Sequence, residues 1–235
     1  MPGTDRTAIR TFAFIPKKSG LSDHDFADYW QRIRPRRSGP LAAASCISQS
    51  VSRPDAVDGS PQLFSAVVEA WNTPLGPKDV QRAFADLATI YEQAEQFVDI
   101  GNILVLSAEE HIVQMGPAHL ARDNVLRALW VVSRKPGMSV EAFQKHWHHT
   151  HGPLVPRTPS LVRYVQYHAH PDLQAVGPPR FDGVAELCWN NFEEFHESWR
   201  SPQMQEEQFP DMANFLDPTR ITGAFFRGVW RSDDG

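Results

Sequence analysis

A chain of 235 residues with 41% hydrophobic side chains can bury one large core or two small ones. Its formal net charge of -5 and pI near 6.0 exclude the basic face that nucleic acid demands. No apolar run of about 18 residues could span a membrane, no apolar leader opens the chain, and Cys46 and Cys188 fall at non-matching places. The sequence therefore predicts a cytoplasmic protein, without a structural disulfide, whose partner is a small molecule.

The first half opens on an apolar strand over about 8–16. The turn Pro16-Lys17-Lys18-Ser19-Gly20 leads to a helix opened by Ser22 and carrying Phe26 and Trp30. Phe64 and Glu69 mark a later strand, and Asn102-Ile103-Leu104-Val105-Leu106 the last one. Residues 114–124 read as a linker. The second half then repeats the first at a constant offset of 117: Leu126-Arg127 matches Ile9-Arg10, and Gly137-Met138-Ser139 matches Gly20-Leu21-Ser22. Phe143 and Trp147 match Phe26 and Trp30, and Phe181 and Glu186 match Phe64 and Glu69. One offset held over this length marks a duplicated small domain.

In the second half Ser139 caps a helix that stops before Gly152-Pro153. Phe143, His146, Trp147 and Thr150 share a face if the helix is regular. Strands follow over 163–168 and 181–189, then a helix from Phe192 to about Arg200 that Ser201-Pro202 breaks. A less regular segment runs to Pro218, and a last strand from about Thr222 to Trp230. The order β-α-β-β-α-β is the ferredoxin-like split βαβ unit. Helices on one face leave the other face of each sheet bare, and it must be buried. The predicted fold is thus α+β: two ferredoxin-like halves, 1–115 and 116–235, packed sheet against sheet as a fused, pseudo-twofold dimeric α/β barrel. Whether fused barrels pair into a homodimer is left open.

The chemistry-bearing residues are not duplicated. His146, His148, His149, His151, His168 and His170 lie within 25 residues, where the first half has Tyr29, Gln31, Arg32 and Arg34 under the helical ones. Histidine is the side chain most easily poised for proton transfer near neutral pH. His148 and His149 read as cations at a helix C-terminus. His146, on the Phe143/Trp147 face, and His151, beside Gly152-Pro153, read as proton-transfer candidates. Asp182 has no acidic counterpart, Ser65 standing in its place, and fits as the acid that orients a histidine. Tyr164, sharing a strand face with Gln166 and His168, could donate to an oxyanion. Trp147, Gln166, His168, Glu186 and Trp130 are the candidate substrate-binding residues, although the recurrence of Glu186 as Glu69 also suits an architectural role. Arg34, Arg36 and Arg37 read as a solvated loop. With no His-Glu-x-x-His, zinc-spaced Cys/His set, phosphate loop or GxGxxG, neither metal nor cofactor is expected.

The stretch Gly137-Met138-Ser139-x-x-x-Phe143-x-x-x-Trp147-x-x-x-His151-Gly152-Pro153-Leu154, with Arg163-Tyr164-Val165-Gln166 and Phe181-Asp182-Gly183-Val184-Ala185-Glu186, resembles an EthD domain. The first half resembles the family more faintly, with Gly39-Pro40-Leu41 in place of the histidine-bearing turn. The resemblance implies the dimeric α/β barrel superfamily, an association with breakdown of ethers and aromatic compounds, and His151 and Asp182 as the motif positions.

Three functions are consistent with these residues. The leading one is a cofactor-independent lyase or isomerase (dehydratase, cyclase or decarboxylase type) using His/Asp proton transfer on a cyclic or aromatic molecule. The second is a haem-dependent barrel enzyme with a histidine as axial ligand, although Phe181-Asp182-Gly183 lacks the leading glycine of the peroxidase-type Gly-x-x-Asp-Gly stretch. The third is a protein that binds a hydrophobic ligand without turnover.

Overall fold

The computed structural model describes residues 9–34, 44–53, 63–71, 93–116, 125–169 and 181–231. Eight strands are described: β1 (Ile9–Ile15), β2 (Ile47–Ser52), β3 (Ala66–Trp71), β4 (Leu104–Gln114), β5 (Leu126–Val132), β6 (Arg163–Ala169), β7 (Gly183–Trp189) and β8 (Thr222–Arg231). They close a barrel in the order β1-β3-β2-β8-β5-β7-β6-β4, every pairing antiparallel. The two halves carry matching strand orders, β4-β1-β3-β2 and β8-β5-β7-β6. Where sheet-on-sheet packing was expected, the sheets also join edge to edge. β4 bonds to β6 and β2 to β8, so no edge among these strands is left unpaired. β4 makes this reach by running to Gln114, well past the expected end at Leu106 and into the predicted linker.

Side chains alternate across the barrel wall. Phe12, Phe14, Leu106, Leu129, Val131, Tyr167, Val184 and Phe226 fill the interior. The opposite faces carry two outer cores. One packs Phe26, Trp30, Val51 and Val68 beneath α1 (Asp23–Arg32). The other packs Phe143, Trp147, Tyr164, Trp189 and Phe215. The helices begin where the sequence places them: Ser22 accepts from the Asp25 N–H at 3.0 Å, and Ser139 from that of Ala142 at 3.1 Å. After α2 (Ala94–Phe97), α3 spans Val140–His146 and continues as a π-helical turn, Trp147–His151. α4 covers Phe192–Arg200. The segment expected to be irregular is helical, a π turn over Gln203–Gln208 running into α5 (Phe209–Phe215). The first-half counterpart of α4 falls within 72–92, outside the described residues, as do Arg36, Arg37, Gly39-Pro40-Leu41, His170 and 117–124.

One end of the interior is ionic. Arg127 donates to both oxygens of Glu69, at 2.6 and 2.7 Å, and to Glu186 at 2.7 Å. Arg163 Nε donates to Glu186 at 2.8 Å, and the Tyr167 hydroxyl donates to Glu186 at 3.1 Å. Glu186 is therefore saturated inside the barrel, which corrects its assignment as a substrate-binding residue. Burial alone would raise its carboxyl pKa, but Arg127, Arg10 and Arg163 outweigh that and hold it far below the usual range.

Candidate functional site

The site begins with the widened turn after α3. The Gly152 N–H donates to the Trp147 carbonyl at 2.8 Å, an i→i+5 bond. A Cβ on Gly152 would stand 2.5 Å from the His148 carbonyl oxygen, so only glycine fits this tight return. The extra residue in the turn breaks the expected Phe143-His146-Trp147-Thr150 face. Thr150 is exposed, and His151, buried, takes the inward place. His146 and His151 then face α5 together. His146 Nε2 and His151 Nδ1 each lie 2.9 Å from a different oxygen of Asp211, and both rings pack on Phe215.

The acid that orients these histidines is thus Asp211. Asp182 instead accepts from the backbone N–H of Arg134 at 2.8 Å and from its guanidinium, tying β7 to the end of β5. Burial works to raise the Asp211 carboxyl pKa, but hydrogen bonds from His146, His151 and Asn214 hold it lowered. An ionised Asp211 accepts an N–H from each ring, which fixes both tautomers. For His151 burial outweighs Asp211 and lowers the imidazole pKa.

On the outer face of β6, Tyr164, Gln166 and His168 form one row, as expected, with Tyr167 turned inward. The Tyr164 hydroxyl receives the Trp147 indole N–H and a Gln166 amide N–H, both at 3.0 Å. The same amide nitrogen donates to the Trp147 carbonyl at 2.8 Å. Tyr164 is 1% exposed, and burial pushes its phenol pKa up, so it serves the core and not a developing oxyanion. The amide orientation leaves Gln166 Oε1 facing His168 Nε2 at 3.0 Å, so His168 carries its proton on Nε2. The His168 ring stacks on Trp147, with centroids 4.7 Å apart and planes at 11°. Burial first, then His111 and His148, bring its pKa down to about 3.

His168 is the floor of an open cleft of about 470 Å³ between α3 and the strand pair β4/β6. His148 and His149 overhang it from the π turn, and His111 enters from β4 of the first half. The ring of His111 lies 4.3 Å from that of His168 and 5.2 Å from that of His148. Burial, and then His148, lower the His111 pKa despite Glu109. His148 Nδ1 is buried without a hydrogen-bond partner. The equivalent cleft of the first half, about 430 Å³, has Gln31 where the second has His148 and Val51 where it has His168. Shape is retained in both halves, but where the second cleft gathers His111, His148, His149 and His168, the first is lined by one histidine, the exposed His24.

Of the residues at or beneath this cleft, the sequence offered Trp147, Gln166 and His168 as substrate-binding candidates, read His148 only as a cation at a helix C-terminus, and gave no sign of His111 or of Asp211 behind the turn. Trp130 lies elsewhere, stacked on Trp199 at 6.2 Å over β8. Among the described residues no three His, Cys, Asp or Glu side chains are set for one metal ion. The described residues do not fit a haem either. Phe143, Trp147, Tyr164, Trp189, Phe215 and Phe225 are at most 2% exposed and fill the layer between sheet and helices. The His168 ring is covered by Trp147 on one side and neighboured by His111. Among the described residues that leaves no slot for a planar macrocycle beside His168.

Among the described residues no helix is long and apolar enough to cross a membrane. No curated protein matches the sequence. Among solved structures, an anthrone oxidase-like protein is similar over 97% of this chain and 93% of its own, at 10% identity and TM-score 0.62. A Lactobacillus acidophilus protein provisionally assigned as a monooxygenase aligns over 96% of this chain and 95% of its own, at 11% identity and TM-score 0.51. Chlorite dismutase from Candidatus Nitrospira defluvii, in complex with imidazole, aligns over 96% and 93%, at 11% identity and TM-score 0.51. At such identities the likeness is one of fold, that of the dimeric α/β barrels. Residues 135–219, which hold α3, the histidine turn, β6, β7 and α5, match the family model of the EthD domain.

Proposed function

We propose that the chain is a small-molecule enzyme that removes and returns a proton on a cyclic or aromatic substrate held in the histidine cleft. The observation that carries this reading is the convergence of His111, His148 and His168 on one open cleft, against Gln31 and Val51 in its pseudo-symmetric twin. Neutral imidazoles are competent general bases, and a positioned base contributes on the order of 10²–10⁴ in rate. His148 is the residue assigned the proton, with His111 and His168 shaping its surroundings. His146 and His151, expected to be catalytic, become positioning residues that hold the π turn through Asp211. The first half, a degenerate copy of the same unit, supplies a barrel wall and His111.

Loss of a C–H or O–H proton gives an enolate or phenolate. Return of the proton to another carbon gives isomerisation, expulsion of a β-hydroxide gives dehydration, and the enolate left when CO2 departs is protonated by the same group, so the lyase or isomerase reading stands as the leading reaction class. It is also the species that an oxidase acting on an anthrone would pass to oxygen.

Deuterium exchange tests the proposal directly. Purified protein is incubated in D2O with cyclic β-keto acids, cyclic enones and anthrones, and exchange at the acidic carbon is followed by NMR alongside oxygen uptake. Catalysed exchange that vanishes in His148→Ala is the expected result. Binding without exchange or turnover across the panel would instead support ligand sequestration and overturn the enzyme reading.

A further inference from the structure

We infer that the histidine cleft recognises a planar O–H acid, a phenol or enol, by receiving its acidic hydrogen on an imidazole, so that the ligand's anion binds only together with a proton. The inference rests on the cleft as the substrate site and names the class of molecule it takes.

Two sets of histidines in the second half are satisfied in opposite ways. His146 and His151 each direct one ring N–H to a carboxylate oxygen of Asp211 inside the protein. The cleft histidines have no such carboxylate. Glu109 comes no nearer than 4.0 Å to His111 Nε2, a separation too long for a hydrogen bond. His168 spends its N–H on Gln166, which leaves Nδ1 as a lone pair, and the buried His148 Nδ1 has no partner. The cleft is therefore rich in unmet imidazole nitrogen. A ligand O–H supplies the missing donor, and the three imidazoles, packed on one another with centroids 4.3 to 6.1 Å apart, present a continuous aromatic surface on which a flat ring can lie.

Charge decides the form in which such a ligand enters. Glu109 from β4 and Glu141 and Lys145 from α3 leave the rim at a formal -1, before any charge on its histidines. A bare phenolate meets that charge unfavourably. A neutral phenol, or a phenolate with one proton added to the imidazole cluster, does not. Burial and mutual repulsion keep His111 and His168 uncharged in the free protein, so the proton is taken up on binding.

The probe is 4-nitrophenol, whose absorbance separates phenol from phenolate. In weakly buffered solution at pH 8.5, where the probe is anionic, we expect saturable one-to-one binding with uptake of about one proton, weakening roughly tenfold for each further pH unit (one proton linked to binding). The methyl ether, 4-nitroanisole, has the same ring and no acidic hydrogen and should bind at least tenfold more weakly. His148→Ala and His111→Asn should each abolish proton uptake, while His24→Ala in the twin cleft should change nothing. Equal affinity for the ether, binding without proton uptake, or no binding by 4-nitrophenol, 2-naphthol and 4-hydroxybenzoate alike would overturn the inference. Such failure beside deuterium exchange that still requires His148 would spare the enzyme reading; proton-coupled binding with no exchange would sink that reading and leave this one standing.

Discussion

Arg127, from the second half, clamps Glu69, from the first, through both terminal nitrogens at one end of the barrel interior. The pseudo-symmetric pair is looser. Arg10 reaches Glu186 only at 3.5 Å and Glu69 at 3.3 Å, because its guanidinium lies between Trp71 and Tyr167, at 4.4 and 4.8 Å from their rings, and turns to Glu110 at 2.5 Å. One duplicated Arg/Glu set has thus become a single cross-half ion network. Glu69→Gln leaves Arg127 short of charge in a buried place and should cost about 3–5 kcal/mol. Replacing both partners, Glu69→Leu with Arg127→Met, should cost less than the sum of the singles. Urea unfolding of the double-mutant cycle measures the difference.

The same network sets the acid limit of the fold. Burial would raise the Glu69 and Glu186 pKa values, but the arginines prevail and both are lowered. A carboxylate depressed in the folded state contributes stability that is complete above its unfolded pKa of about 4.3 and is lost as pH falls toward the folded value. Stability should therefore decline below about pH 4.5, and less steeply in Glu69→Gln, which has lost one of the titrating groups. Urea midpoints measured from pH 7 down to 3 check the slope.

Gly152 and Gly183 hold the cleft from below. A Cβ at Gly183 would stand 2.5 Å from the Trp147 ring and 2.5 Å from the Tyr167 carbonyl oxygen, while one at Gly152 meets the His148 carbonyl. Each alanine should destabilise by about 1–3 kcal/mol through overpacking. Gly152→Ala should further reduce turnover because it displaces the turn that carries His148. Thermal unfolding together with the exchange assay separates the two effects.

The barrel was legible because its signals are local. Ser22 and Ser139 cap their helices, alternating strands bury one face, and the constant offset exposes the duplication even where Val51 stands under His168. The cleft was legible only in part. His111 was passed over because Ser107-Ala108-Glu109-Glu110-His111 is too polar to continue an apolar strand, yet β4 continues there to pair with β6. The pairing is long-range, and no nearby residue announces it. Asp211 was missed because the Gln203–Gln208 turn spoils the helical period before α5. The widened turn at Trp147–His151 likewise defeats a 3.6-residue projection and exchanges Thr150 for His151.

Protonation of the cleft gives a second pH signature. Burial and neighbouring imidazoles lower the His111 pKa, and bring that of His168 to about 3. The unfolded chain thus binds protons that the folded chain refuses. Their contribution to stability is complete above the unfolded pKa of about 6.5 and is lost progressively as pH falls below it. His111 and His168 should therefore stay neutral further into acid than free imidazole, and NMR titration of their ring protons should place both transitions below pH 6.5. A transition of either ring at or above that value would contradict the assigned surroundings.

Packing of the second half also predicts the response to haem. With Trp147 and His111 against His168 and the aromatic layer closed, hemin added to the protein should give no stoichiometric Soret shift, and His168→Ala should not alter its spectrum. A sharp one-to-one band that disappears in His168→Ala would show that the aromatic layer opens to accept a macrocycle.

His148 and Asp211 should fail in different ways. His148→Ala removes the proposed base from a half-buried ring whose Nδ1 has no partner in the protein. Its kcat/KM should fall by about 10²–10⁴ with stability changed by no more than about 1 kcal/mol. Asp211→Asn leaves the base in place but gives His146 and His151 an amide that accepts through only one oxygen. Loss of one of the two hydrogen bonds, and of the acceptor's charge in the other, should cost about 1.5–3 kcal/mol and loosen the turn. Turnover should then fall through kcat with the pH limb unmoved, and Asp211→Glu should restore part of it. If His148→Ala keeps its turnover while Asp211→Asn loses it with a shifted pH limb, the proton passes through His146 or His151, and the catalytic centre lies on the α5 side of the turn.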